Sequence, residues 1–163
     1  PQESLVGADA LSHDIMAAHG GELLVESEPG RGSTFHAVLP ERRPRVLLVD
    51  DDPDALRVFD HHLRRLDAEV MLADNGRTAL MAVEKRQPDL VITDLVMPVM
   101  DGMGLIRALK AGQRTSQVPV VVITSSHGMA SREEVFRLGA DDYVLKPMVA
   151  DDFLPRVRRF LGC

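Results

Sequence analysis

The sequence predicts an α/β fold, a doubly wound parallel sheet of five strands with helices on both faces, preceded by a small helix-plus-hairpin extension. Two observations carry this. Strand-like and helix-like patterns alternate through residues 45–163. The three strongest apolar runs, at 46–49, 90–92 and 120–123, also lack a period of two, as expected of strands covered on both sides.

Taken in order, Val46 to Val49 forms the first strand of this segment. Leu56, Phe59, Leu63 and Leu66 then recur at spacings of three and four and share one helical face. Asp52 before Pro53 reads as the cap of that helix, with proline at its first position, where a missing N–H matters least. Glu69–Ala73 and Tyr143–Leu145 are weaker strands. Leu80 with Val83, and Val135 with Leu138, mark short helices, the latter expected to start at the capping box Ser131-Arg132-Glu133-Glu134. Phe153, Val157, Phe160 and Leu161 define the last helix, which puts Pro155 near its first turn. Five such repeats imply right-handed crossovers, with ligands bound beyond the carboxyl ends of the strands.

Chemistry-bearing residues stand at those ends. Asp50 and Asp51 follow the first strand, Asp94 follows Leu90-Val91-Ile92-Thr93, Thr124 closes Val120–Ile123, and Lys146 follows Leu145. Gathered carboxylates repel one another unless a cation offsets them, and one lysine cannot neutralise three. A divalent ion such as Mg²⁺, which takes oxygen ligands and one or two carboxylates directly, is the natural resolution. Phosphoryl transfer needs a nucleophile and relief for the equatorial oxygens. Asp94 is the candidate nucleophile, in the manner of aspartyl-phosphate chemistry, with Thr124 and Lys146 on the phosphoryl oxygens. Taken alone, Asp94 reads first as a turn or cap residue, and the other strand-end motifs turn the reading toward function.

Four stretches together resemble the receiver domain of two-component response regulators: Val49-Asp50-Asp51-Asp52-Pro53, Asp94-Leu95-Val96-Met97-Pro98-Val99-Met100-Asp101-Gly102, Ile123-Thr124-Ser125-Ser126 and Gly139-Ala140-Asp141-Asp142-Tyr143-Val144-Leu145-Lys146-Pro147. The resemblance covers residues 45–163 and implies the flavodoxin-like strand order 2-1-3-4-5. It implies that Asp94 accepts a phosphoryl group from the phosphohistidine of a histidine kinase or histidine phosphotransfer protein. Mg²⁺ would be held by Asp50, Asp51, Asp94 and the backbone carbonyl of Val96. Thr124 would move toward the phosphoryl group, Lys146 would pair with it, and Tyr143 would swing inward. That swing repacks the face of the fourth helix, fifth strand and fifth helix, a possible homodimer surface. The family's peptide bond before Pro147 is typically cis. An apolar Val96, flanking the path of the hydrolytic water with Ser126, implies slow self-dephosphorylation.

Bulk properties fit. The 163 residues are 45% hydrophobic and 27% charged, ordinary for a globular chain. A net charge of −6 argues against nucleic-acid binding, and no run is long enough to span a bilayer. The single cysteine, Cys163, excludes an internal disulfide and fits a cytoplasmic protein. His61-His62 lacks further metal-spaced ligands, so zinc is not expected. The arginines at 156, 158 and 159 suit a helix C-terminus and require no nucleic acid.

Pro40-Glu41-Arg42-Arg43-Pro44 reads as a linker, placed at 41–44. Before it, Leu11–His19 reads as a helix, and Glu22–Ser27 with Thr34–Leu39 as a hairpin turning at Pro29–Ser33. Ala17-Ala18-His19-Gly20-Gly21 through Thr34-Phe35 resembles the C-terminal end of a sensor histidine kinase's ATP-binding domain. The stretch Val6–Ser12 stands where that family has its phosphate-closing glycine loop, yet it holds few glycines and an aspartate, so productive ATP binding is not expected. His13 is read as part of the helix because no Arg-x-Pro follows it. As Pro1 rather than methionine opens it, the chain is expected to be a piece of a longer protein. An alternative is that it is the end of an ATP-dependent hybrid sensor kinase whose core lies upstream. With no DNA-binding segment after the last helix, the expected output is onward phosphotransfer or control of an attached kinase.

Overall fold

Val46, Leu47, Leu48 and Val49 are all buried, and they form the strand from which the sheet is built in both directions. The computed structural model describes residues 22–28, 30, 32–38, 43–125 and 132–162. The expected helix at Leu11–His19, His13, the residues Ser126, His127 and Ser131, and linker residues 41 and 42 lie outside them. The chain divides into two units, Pro1–Arg42 and Arg43–Cys163.

In the first unit, β1 (Glu22–Glu28) pairs antiparallel with β2 (Gly32–Val38), with Val25 opposite Phe35. Gly30 and Gly32 have φ of +81° and +99°, which the turn requires and other residues resist.

In the second unit, the elements run β3 (Arg45–Val49), α1 (Pro53–Leu63), β4 (Glu69–Ala73), α2 (Gly76–Lys85), β5 (Leu90–Thr93), α3 (Gly102–Ala111), β6 (Val120–Thr124), α4 (Arg132–Arg137), β7 (Asp142–Leu145) and α5 (Ala150–Leu161). A short 3₁₀ turn, Arg64–Leu66, follows α1. The five strands are parallel in the order β4-β3-β5-β6-β7, the predicted 2-1-3-4-5. Alternate residues of each strand feed opposite cores. Leu47, Val49, Val91, Val120 and Val122 pack with Ala79, Val83, Leu105, Ile106, Leu109 and Val135 from α2, α3 and α4. Val46, Leu48, Leu90, Ile92, Val121 and Ile123 pack with Phe59 and Leu63 of α1 and Phe153, Leu154 and Val157 of α5. Phe59 and Phe153 meet with ring centroids 5.0 Å apart, joining α1 to α5.

The caps explain where helices begin. Asp52 Oδ1 accepts from the Asp54 amide at 2.9 Å, with Pro53 first in α1, as predicted. Asn75 and Thr78 form a reciprocal capping box on α2. Asp101 Oδ1 accepts from the Gly104 amide at 2.7 Å at the start of α3.

Pro155 corrects an expectation. It sits in the second turn of α5, not near the first, because the helix already begins at Ala150 after an uncapped Val149. The break in the helical bonding falls on an exposed face, where water can satisfy the carbonyl left without its N–H. The Lys146–Pro147 bond is cis, as the resemblance implies.

Candidate functional site at the carboxyl ends of the strands

The chain leaves β3 for the outer strand β4 and returns on the other side as β5, so strand order reverses between β3 and β5. A crevice opens there in sheets of this type. Sheet-like hydrogen bonding continues one residue past the strands and pegs the residues that line it. The Asp50 amide donates to Ala73 O at 3.1 Å, the Asp94 amide to Val49 O at 2.9 Å, and the Lys146 amide to Thr124 O at 2.9 Å.

Asp50, Asp94 and Thr124 are buried, at 3%, 7% and 0% exposure, while Asp51 is exposed. Lys146 Nζ lies 2.5 Å from Asp50 Oδ2 and 2.9 Å from Asp94 Oδ2, spanning the two carboxylates. The other oxygen of Asp94, Oδ1, accepts from the backbone amides of Leu95 at 2.5 Å and Val96 at 3.3 Å. This carboxylate therefore both shapes its own turn and faces the lysine. The turn reading of Asp94 is thus met by Oδ1, while Oδ2 is turned to the lysine.

The electrostatics follow from burial. Desolvation pushes Asp50 above the usual carboxylate range, although the Lys146 ammonium and the Asp52 amide pull the other way. Burial also pulls Lys146 down, but its hydrogen bonds to Asp50 and Asp94 outweigh it and hold the ammonium above its ordinary value. One cation thus serves two buried carboxylates, with a third at the mouth. This oxygen-rich, positively underfilled donor set fits Mg²⁺, which keeps several waters and needs few protein ligands. Among the described residues, no three acidic, histidine or cysteine side chains already surround one point. Asp51 is the exposed carboxylate of the three. Lys146 was expected on a phosphoryl oxygen; here the carboxylates hold it, as the nearest partial remedy for their charge.

The loop after Asp94 closes tightly over it. A Cβ on Gly102 would stand 2.1 Å from Asp94 O, and the Gly102 amide donates to Leu95 O at 3.0 Å. The Gly76 amide donates to Met100 O at 2.9 Å, and a Cβ there would meet that oxygen at 2.9 Å, so α2 buttresses the same loop. Tyr143 is half-buried against the core beneath α2, α3 and α4, in register with Val122 two residues before Thr124. Val96 is 47% exposed.

Asp142 was not foreseen. Buried at 7% exposure, its Oδ1 accepts from the Tyr143 amide at 2.9 Å and its Oδ2 takes Arg156 at 2.9 Å and Arg159 at 3.4 Å. Because β7 pairs only with β6 among the described residues, this satisfies an amide at the sheet edge and ties α5 to it. Asp142 opens β7 and the arginines lie on α5, so no spacing in the sequence marks the pair.

A family model described as the response regulator receiver domain matches residues 46–158. The transcriptional regulatory protein PrrA of Mycobacterium bovis is 38% identical over 118 residues, covering 72% of this chain and 50% of that protein. The chain thus spans about half the length of this curated relative. Chemotaxis response regulator CheY4 of Vibrio cholerae is 28% identical with a TM-score of 0.68, covering 73% of this chain and 99% of that one. The receiver domain of sensor histidine kinase PA1611 from Pseudomonas aeruginosa, described with a magnesium ion coordinated in its active site cleft, is also 28% identical at a TM-score of 0.68, covering 75% of this chain and 100% of that one. By matched span and by strand order alike, the chain belongs to the response-regulator receiver domains of two-component phosphorelay signalling.

Proposed function

We propose that Asp94 accepts a phosphoryl group from a phosphohistidine in a Mg²⁺-dependent step, and that its new charge repacks the face formed by α4, β7 and α5. The observation that carries this is the Lys146 ammonium bridging Asp50 and Asp94, a cation already aimed at the oxygen where charge would grow. An Asp94 carboxylate oxygen forms the new bond to phosphorus. The bond from phosphorus to the donor's imidazole nitrogen breaks, and the imidazole leaves with the electron pair and takes up a proton. Backbone amides of Leu95 and Val96 orient the attacking carboxylate.

Asp50, Asp51, Asp94 and the Val96 carbonyl are the groups that would hold Mg²⁺. When bound, it supplies electrostatic relief for the phosphoryl oxygens. Lys146 passes from the carboxylates to a phosphoryl oxygen, and Thr124 donates its hydroxyl to another. Tyr143 then fills the space Thr124 leaves. Exposed Phe136, Leu145 and Val149, on or beside α4, β7 and α5, give that face the apolar character of an output or homodimer surface. The donor is a histidine kinase or histidine phosphotransfer protein, and the setting cytoplasmic. No helix among the described residues is long and apolar enough to cross a membrane. Residues 1–40 are assigned to the end of a kinase ATP-binding domain on their motifs, 41–44 to a linker, and 45–163 to the receiver.

The test is amide NMR with Mg²⁺ and fluoroberyllate. Shifts are expected around Asp94, Thr124 and Tyr143 in the natural chain and not in Asp94→Asn. Equal responses in both would remove Asp94 from its role.

A further inference from the structure

Val99 combines two features that a folded chain normally avoids in one residue. Its φ is +67°, in the left-handed region that β-branched side chains resist, and it is 77% exposed. The backbone imposes the conformation. The Met100 amide donates to Pro98 O at 2.7 Å, closing a three-residue turn about Val99, while Gly76 and Gly102 clamp the loop on either side. Glycine or asparagine would satisfy that backbone with less strain. The turn accounts for the dihedral angle and does not account for the valine.

The position does. Val99 lies in the loop that leaves Asp94 and folds back onto its carbonyl, and Val96, 47% exposed, begins the same loop. Asp94 itself is only 7% exposed. A histidine side chain that reaches it must bring its parent domain down onto this lip. Exposed Asp51, Asp52, Asp74 and Asp101 stand in loops at the same end of the sheet as the two valines and give that end negative charge.

We infer that Val99, with Val96, is a specificity-determining contact for the phosphodonor domain. It receives an apolar side chain of a partner whose surrounding surface is basic. The left-handed turn holds the valine outward and rigid, so little ordering is needed when the partner arrives. This rests on Asp94 being the phosphoacceptor. It adds that protein donors and small donors read different residues, since a small donor reaches Asp94 without touching the lip.

The experiment compares two donors sharing a phosphorus–nitrogen bond: phosphoramidate, and a phosphorylated histidine phosphotransfer domain chosen because it transfers to the natural chain. Val99→Asn relaxes the backbone and removes the apolar surface, while Val99→Thr keeps shape and strain and removes only apolarity. Both variants should label with phosphoramidate at the natural rate. Both should lose about tenfold in transfer from the protein donor, the scale of one apolar anchor. Val99→Asn should also melt higher than the natural chain, and natural transfer should slow as salt rises. Undiminished transfer from the protein donor to both variants overturns the inference. Equal losses with phosphoramidate also overturn it, by placing the effect in the chemistry. Failure of the natural chain to label with phosphoramidate, or labelling that survives Asp94→Asn, strikes at Asp94 itself and takes the inference with it.

Discussion

A Cβ at Gly102 would lie 2.1 Å from the carbonyl oxygen of Asp94 and 2.8 Å from the Cα of Leu95. The contact is with backbone, which cannot swing aside as a side chain can. Gly102→Ala must therefore displace either α3 or the Asp94 turn. A loss of about 2 kcal/mol is expected, within the usual range for overpacking. Urea denaturation measures it, and a midpoint equal to that of the natural chain would mean the approach is not enforced. Phosphoramidate labelling should fall further than stability does, because the displaced atoms belong to the residue that reacts.

Among the described residues, Lys146 is the one cation shared by Asp50 and Asp94. Replacing it with methionine leaves two buried carboxylates facing one another, at a cost of about 2 kcal/mol at neutral pH, less than for a fully enclosed pair. The pH dependence has a definite sign. Lys146 is held above its ordinary value, so its contribution is complete below the unfolded lysine's pKa of about 10.4 and is lost as pH rises through the raised folded value. The natural chain should lose stability across that alkaline window, and Lys146→Met should not. Asp50 runs the other way. Its raised value means that ionising it in the fold costs stability, so the variant should gain stability on acidification toward the ordinary carboxylate range. Denaturation midpoints from acid to alkaline pH check both limbs.

Asp142 links Tyr143 to α5 through Arg156 and Arg159. Asp142→Ala leaves an amide at the sheet edge without its acceptor and two arginines without their anion, for an expected loss of about 1–3 kcal/mol. If the link also conveys the Tyr143 movement, fluoroberyllate should shift α5 amides in the natural chain and much less in this variant, while amides around Asp94 respond in both. A full α5 response in the variant would reduce Asp142 to a structural brace.

The sheet was legible because its three inner strands are continuous apolar runs, a pattern few other structures tolerate, and because residues with chemistry follow them directly. The crevice was legible for the same reason. In parallel sheets the carboxyl ends share one edge, so chain positions as distant as Asp50, Asp94 and Lys146 converge without any knowledge of side-chain geometry. What escaped depends on backbone angles or on pairings with no period. Pro155 was placed a turn too early because the apolar spacing of α5 shows its buried face and not its start, and Val149 offers no capping side chain. Pro98, Asp101 and Gly102 mark the loop after Asp94 as a turn, but its left-handed angle at Val99 is hidden because a β-branched residue rarely adopts it. Asp142 and its arginines lie on different elements, and nothing in their spacing marks the pair.

Asp51 is exposed where Asp50 and Asp94 are buried, which makes it the carboxylate most free to join a metal without breaking a contact to Lys146. An ion that binds the folded chain and not the unfolded one raises stability with its concentration, by about 2.7 kcal/mol at a hundredfold excess over Kd. Mg²⁺ should therefore raise the melting temperature of the natural chain progressively, and a chelator should reverse the rise. Asp51→Asn keeps the size and removes the charge at an exposed position, so its melting temperature without metal should stay within about 2 °C of the natural value, as ordinary surface changes do. Its response to Mg²⁺ should be largely lost. A Mg²⁺-dependent rise in Asp51→Asn equal to that of the natural chain would place the ion on Asp50 and Asp94 alone. Lys146 would then have to leave both carboxylates for the metal to enter, and Lys146→Met should bind Mg²⁺ more tightly than the natural chain.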